Sequence, residues 1–160
     1  MTSTQAPQTG YDTLLDALAC RYLHETYSFA EITRDPDLFA SVWTEDAVFG
    51  SVEGRAAIRE AAVAFLQGME SITDLRISPA GWHVDVDGDE ARGDFFVVSQ
   101  LKVPQADGSV RILHMDASYR ARFRRTSEGW RISQMGGIKN PSIFHDTDIT
   151  AQLAHEVVSF

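Results

Sequence analysis

At 160 residues and 17.8 kDa, with 44% hydrophobic and 23% charged residues, the sequence has the size of one domain and apolar side chains enough for one core. Its formal net charge of −9 and pI near 4.9 give a surface that repels phosphate backbones and anionic headgroups, which argues against nucleic acid and membrane surfaces as partners. Cys20 has no second cysteine to pair with, and no stretch reaches the ~18 apolar residues of a membrane-spanning helix.

Residues 1–10 are polar, without a basic and then apolar leader, and read as a disordered tail before a domain over 11–140, with the cytoplasm as the default compartment. Leu14, Leu15, Leu18, Ala19, Tyr22 and Leu23 recur at spacings of three and four. They predict a first helix from an N-cap at Asp12 to Thr26 or Phe29. After a short connection at 31–35, Asp35-Pro36-Asp37 is a helix start with proline where its missing N–H costs nothing. Leu38, Phe39, Val42 and Trp43 supply that helix's inner stripe. Asp46 to Phe49 reads as a short strand, and Gly54 opens a third helix with Ile58, Ala62, Phe65, Leu66 and Met69 on its apolar side. From there the period changes to two. Residues 75–78, 82–87, 91–103, 110–124 and 129–138 are strand-like, separated by the turn signals Asp87-Gly88-Asp89, Asp107-Gly108 and Glu128-Gly129. Three helices followed by a meander of long strands predict an α+β domain with its helices on one face of a curved antiparallel sheet. Residues 141–160 are expected as a tail or short helix (150–158) covering the domain.

Three segments carry a family resemblance. Arg21-Tyr22 followed by the run from Asp37 to Phe49, the helix start Gly54-Arg-Ala-Ala-Ile58, and the turns Asp87 to Arg92 and Glu128 to Ile132 stand in the order and spacing of the SnoaL-like branch of the NTF2-like superfamily. The resemblance spans about residues 13–136. It implies a cone: three helices in the concavity of a curved antiparallel sheet, enclosing a small apolar molecule. Family members include cyclases, dehydratases and isomerases, alongside modules that bind a ligand or a partner without chemistry. The family's dehydratases use a tyrosine late in the first helix, which Tyr22 matches, and an acid five residues on. That position is Tyr27 here, with Glu31 able to substitute for the acid after an apparent insertion. The family's histidine falls near Arg76, its strand acid near Ser99, and the cyclases' last-strand acid near Gly136, so the standard dyads are absent.

Proton transfer in such a cone needs a base near its working pKa and a donor for the developing oxyanion. No metal-ligand spacing and no phosphate loop occurs, so no metal or cofactor is expected. His114 and Asp116, two apart on a strand, share a face and form the candidate base and its orienting carboxylate, with Tyr22 as donor. A two-residue turn at Asp107-Gly108 puts this pair on the face of Val97, Ser99 and Leu101. A three-residue turn with a glycine bulge instead puts Met115, Ala117, Tyr119 and Phe123 there. His24, two positions from Tyr22, is expected exposed, and His83 outward. Tyr27, Glu31, Trp43, Phe49, Arg76, Trp82, Ser99 and Tyr119 are the candidate substrate contacts. The reading is a cofactor-free cyclase, dehydratase or isomerase for a small apolar cyclic substrate, polyketide- or terpenoid-like. The alternative is a non-catalytic module for a hydrophobic ligand or protein partner. Phe96 and Val98 alternate with Phe95 and Val97, so both faces of one strand are apolar, and a homodimer through the outer face is expected.

Overall fold

A computed structural model describes residues 10–138. The expectations for a disordered N-terminal tail and for a covering helix at 150–158 fall outside them, apart from Gly10. The elements are α1 (Gly10–Thr33), α2 (Pro36–Ser41), β1 (Trp43–Phe49), β2 (Val52–Glu53), α3 (Arg55–Gly68), β3 (Asp74–Asp87), β4 (Glu90–Pro104), β5 (Val110–Thr126) and β6 (Gly129–Gly137). They form an α+β domain with three helices against one curved six-stranded sheet, ordered β2-β1-β6-β5-β4-β3. The sheet is antiparallel except where β1 runs parallel to β6. That pair departs from the all-antiparallel expectation because β1 returns from the helical half and joins the far edge of the meander.

Helix α1 differs from its expected span at both ends. Asp12 lies inside the first turn, and the helix continues to Thr33. Its stop is a left-handed residue, Arg34 at φ 56°, with the amides of Arg34 and Asp35 bonded back to the carbonyls of Glu31 (3.3 Å) and Ala30 (2.9 Å). This is the two-bond closure that usually takes glycine. Arginine is held there because its guanidinium donates to the carbonyls of Met69 and Ile72. Residues 31–33 of the expected connection are therefore helical, and Glu31 sits one turn after Tyr27. Asp35 is an N-cap, its carboxylate accepting from the amides of Asp37 (3.0 Å) and Leu38 (2.9 Å), with Pro36 at the first turn.

Two bulges set which side chains face inward. In β3 the register shifts between Pro79 and Gly81, so Leu75 and Ile77 before it and Trp82, Val84 and Val86 after it share the inner face, and His83 points out. In β6 the extra residue is Ser133, whose hydroxyl donates to the Arg122 carbonyl. The core lies between α1 and the sheet: Cys20, Tyr27, Ala30, Phe39, Trp43, Ile58, Phe95, Phe123, Trp130 and Ile132.

Gly93 makes the closest approach in this core. A Cβ there would lie 2.6 Å from the Phe95 ring and 3.1 Å from Val84. Gly93→Ala should therefore push Phe95 toward α1 and cost about 1–3 kcal/mol by overpacking, read as a lowered denaturation midpoint. An unchanged midpoint would contradict this packing.

Candidate active site

The buried face of α1 carries Ala17, Cys20, His24, Tyr27 and Ala30, at the three- and four-residue spacing of one helix side. Its length through Thr33 adds Glu31 to that face. The residues opposite come from the sheet and α2: Phe95 and Tyr119 as cross-strand neighbours on β4 and β5, Trp43 and Phe49 on β1, and Phe39 on α2.

Tyr27 is the centre. Its ring lies 4.8 Å from Phe39, 5.9 Å from Phe49, 6.1 Å from Trp43 and 6.2 Å from Tyr119, centroid to centroid. The Glu31 carboxyl and the Tyr119 hydroxyl lie near enough to the Tyr27 hydroxyl for the three groups to shift one another's titration. Burial pushes the Glu31 carboxyl up to about 7, and the Tyr27 hydroxyl pulls it only part of the way back. Burial also raises both tyrosine hydroxyls, helped by the Glu31 charge, so they remain donors at any physiological pH. Glu31 as a whole residue is half-buried, and it is the burial of its carboxyl that governs its titration.

His24 stands one turn earlier, 2% exposed, stacked on Phe95 with ring centroids 4.1 Å apart and planes 5° from parallel. Burial lowers it to about 4, so it is neutral at pH 7. Its expected exposure is thus corrected. Spacing from Tyr22 placed it off that residue's face, but it falls four after Cys20 and three before Tyr27, on the buried one, and that spacing was the signal available. His24 Nε2 and Trp43 Nε1 are buried with no hydrogen-bond partner. Their rings lie 5.9 and 6.1 Å from that of Tyr27, centroid to centroid. A void of about 10 Å³ borders His24, Trp82, Phe95 and Val97, room for one water. Arg21 stacks over Trp82 at 5.1 Å on the same side.

The other expected residues fall elsewhere. The loop after β4 is the three-residue type: Gln105 N bonds Ser109 O at 2.8 Å, with Gly108 at φ 83°. Met115, Ala117 and Tyr119 therefore oppose Ser99, Val97 and Phe95 on the inner face, while His114 and Asp116 are exposed on the outer one beside Gln100 and Val98. Tyr22 is 69% exposed on the outward side of α1. Arg76 is exposed and pairs with Asp74 at 3.5 Å. Ser99 faces inward, half-buried, beyond Phe95. The structure thus brings together Tyr27, Glu31, Trp43, Phe49 and Tyr119, sets Trp82 at the edge beside His24, and leaves His114, Asp116, Tyr22 and Arg76 outside. Among the described residues no group of three His, Cys, Asp or Glu side chains could hold a metal.

A SnoaL-like domain model matches residues 12–136. The chain belongs to the SnoaL-like family. Among solved structures similar to this SnoaL-like chain is a candidate aromatic ring hydroxylase from Novosphingobium aromaticivorans, 25% identical, covering 84% of this chain and 96% of its own at a TM-score of 0.63. A Mycobacterium tuberculosis protein of unknown function is 26% identical, covering 89% and 92% at 0.64. A candidate dehydratase of the NTF2-like family from Streptomyces avermitilis is 14% identical, covering 80% and 99% at 0.65, and shows the fold alone. No curated protein sequence matches the chain.

Glu31 and His24 shape stability in opposite directions. Glu31 is raised on folding, so its contribution is whole below the unfolded value of 4.5 and is lost as pH rises through about 7. The cost above that is on the order of 3 kcal/mol. His24 is depressed, so its contribution is whole above 6.5 and is lost as pH falls through about 4. Glu31→Gln should then be more stable than the native chain at pH 8 and equal to it near pH 4, and His24→Phe should flatten the acid limb. A Glu31→Gln difference that does not vary with pH would contradict the assignment.

Proposed function

We propose that this SnoaL-like protein moves a proton on a small apolar cyclic substrate, as a lyase or isomerase without a cofactor. The single observation that carries the reading is the Glu31 carboxyl, held near pKa 7 against two tyrosine hydroxyls in an aromatic interior. A carboxylate so placed can take a proton next to a carbonyl, and Tyr27 or Tyr119 can donate to the oxygen that gains charge. The unpartnered Nε2 of His24 and Nε1 of Trp43 support a polar group of the ligand beside Tyr27, since each costs about 1–3 kcal/mol while buried without a partner. Phe39, Phe49 and Trp82 suit the ligand's apolar body. His114 with Asp116 and Tyr22, the acid–base set suggested by strand spacing, is the competing assignment for the same chemistry.

The test is exchange of protons next to the carbonyl of cyclic ketones in deuterated water, followed by NMR. The native chain should accelerate exchange, Glu31→Gln should lower the rate by ~10²–10⁴, and His114→Ala should leave it unchanged. Exchange at the buffer rate, or lost in His114→Ala and kept in Glu31→Gln, would refute the Glu31 assignment.

A second reading is a module that binds a hydrophobic ligand without chemistry; like the first, it requires Trp82 or its neighbours to move, since the void beside them is about 10 Å³. It predicts that cyclic apolar compounds change Trp fluorescence while exchange stays at the buffer rate.

We also propose a homodimer through the outer sheet face, where Phe96, Val98, Val110 and Ile112 are 38%, 41%, 56% and 51% exposed. The native chain should have a dimer mass at micromolar concentration, and Phe96→Asp with Val98→Asp a monomer mass. A native monomer would refute it.

A further inference from the structure

Helix α1 is apolar on both sides, and among the described residues only one side packs against the rest of the fold. Leu14, Leu15, Leu18, Tyr22, Phe29 and Ile32 are between 37% and 69% exposed, and Tyr11 extends the row. At 100° per residue they fall within an arc of about 100°, opposite the arc of Ala17, Cys20, His24, Tyr27 and Ala30. The row is roughly 32 Å long from Tyr11 to Ile32. A surface helix normally turns a polar face to water, and an apolar row of this length, interrupted by Glu25 in its ion pair with Arg21, marks a contact surface.

The occupant follows from the rest of the chain. The described structure stops at Ile138, whose amide bonds the Ser118 carbonyl at 2.7 Å. Gly137 there pairs with Tyr119, whose ring lies 5.8 Å from that of His24. The chain therefore leaves the sheet level with the middle of α1. Beyond it, Ile149, Leu153, Val157 and Phe160 recur at intervals of four, four and three, the spacing of one helical face. Residues 139–148 can span up to roughly 33 Å, several times the ~10 Å width of the helix they must pass. We propose that residues 149–160 dock along the outward apolar row of α1. A tethered segment acts at an effective concentration near millimolar, so it outcompetes a second copy present at micromolar concentration.

The proposal is tested in the full chain by cysteine pairs. Leu153→Cys is combined in turn with Leu15→Cys, Leu18→Cys, Tyr22→Cys and Phe29→Cys, all exposed positions on α1. Cys20 can remain, because burial pushes its thiol up to about 12 and leaves it inert. On mild oxidation at least one pair should close within a single chain, at a rate independent of protein concentration. That rate should be at least ~10-fold faster than for Leu153→Cys with Glu53→Cys on β2, at the sheet edge away from Phe96 and Val98. Disulfides formed between two chains, including by Tyr22→Cys alone, would assign the row to a second copy and overturn the proposal. So would pairs that close no faster than the sheet control.

Discussion

Helix α1 carries Asp16, His24, Tyr27 and Glu31 toward the sheet, and the cost of taking these groups out of water governs much of what surrounds them. Each is met by a different solution. Asp16 accepts from Trp130 at 2.8 Å and from Arg125 at 2.6 Å, with the guanidinium also lying over the Trp130 ring at 4.5 Å. That cluster fastens the first half of the helix to β5 and β6. His24 gives up its charge and uses its ring as a flat apolar surface against Phe95. Glu31 keeps a carboxyl that is poised between its two states, with tyrosine hydroxyls as its neighbours. One helix thus holds an anchored charge, a silenced base and a proton-active acid within four turns.

The sheet is shaped to receive that helix face. The absence of a side chain at Gly93 leaves the space that the Phe95 ring occupies, and the position of Phe95 decides where His24 can stack. The bulge at Ala80 turns Trp82 inward and His83 outward, so the β3 edge contributes an aromatic wall on one side and an exposed His83–Asp85 pair (3.2 Å) on the other. Charges on the outer face pair among themselves, as Arg120 with Asp94 at 2.7 and 2.9 Å, and do not reach the interior. The inner and outer faces of the same strands are therefore chemically separate.

Much of this organisation was legible in the sequence. The change of period after Met69, the N-cap at Asp35 and the turn glycines reported local backbone needs, and local needs are what single residues encode. Trp43, Phe49 and Trp82 were legible as interior residues, while Tyr27 was singled out by the family resemblance and the facing of Tyr119 hung on the loop after β4. What could not be read was parity. Whether His114 or Met115 faces inward depends on one residue in the loop at Asp107-Gly108, and both loops are compatible with that dipeptide. The end of α1 was misjudged because Arg34 closes the helix where glycine is usual, held by carbonyls of Met69 and Ile72 that are distant in sequence. Placing Glu31 in a connection hid its relation to Tyr27, and reading His24 from Tyr22 instead of Cys20 hid the stack on Phe95.

The central claim is that the fold buries a carboxyl on α1 and holds it near neutrality against two tyrosines. Its most direct measurement is the NMR titration of the Glu31 side-chain carboxyl carbon in the folded protein, assigned by comparison with Glu31→Gln. A midpoint near 7 is the predicted result, shifted further upward in Tyr27→Phe, where the lost hydroxyl no longer favours the charged form. A midpoint near the ordinary 4.5, unmoved by Tyr27→Phe, would contradict it.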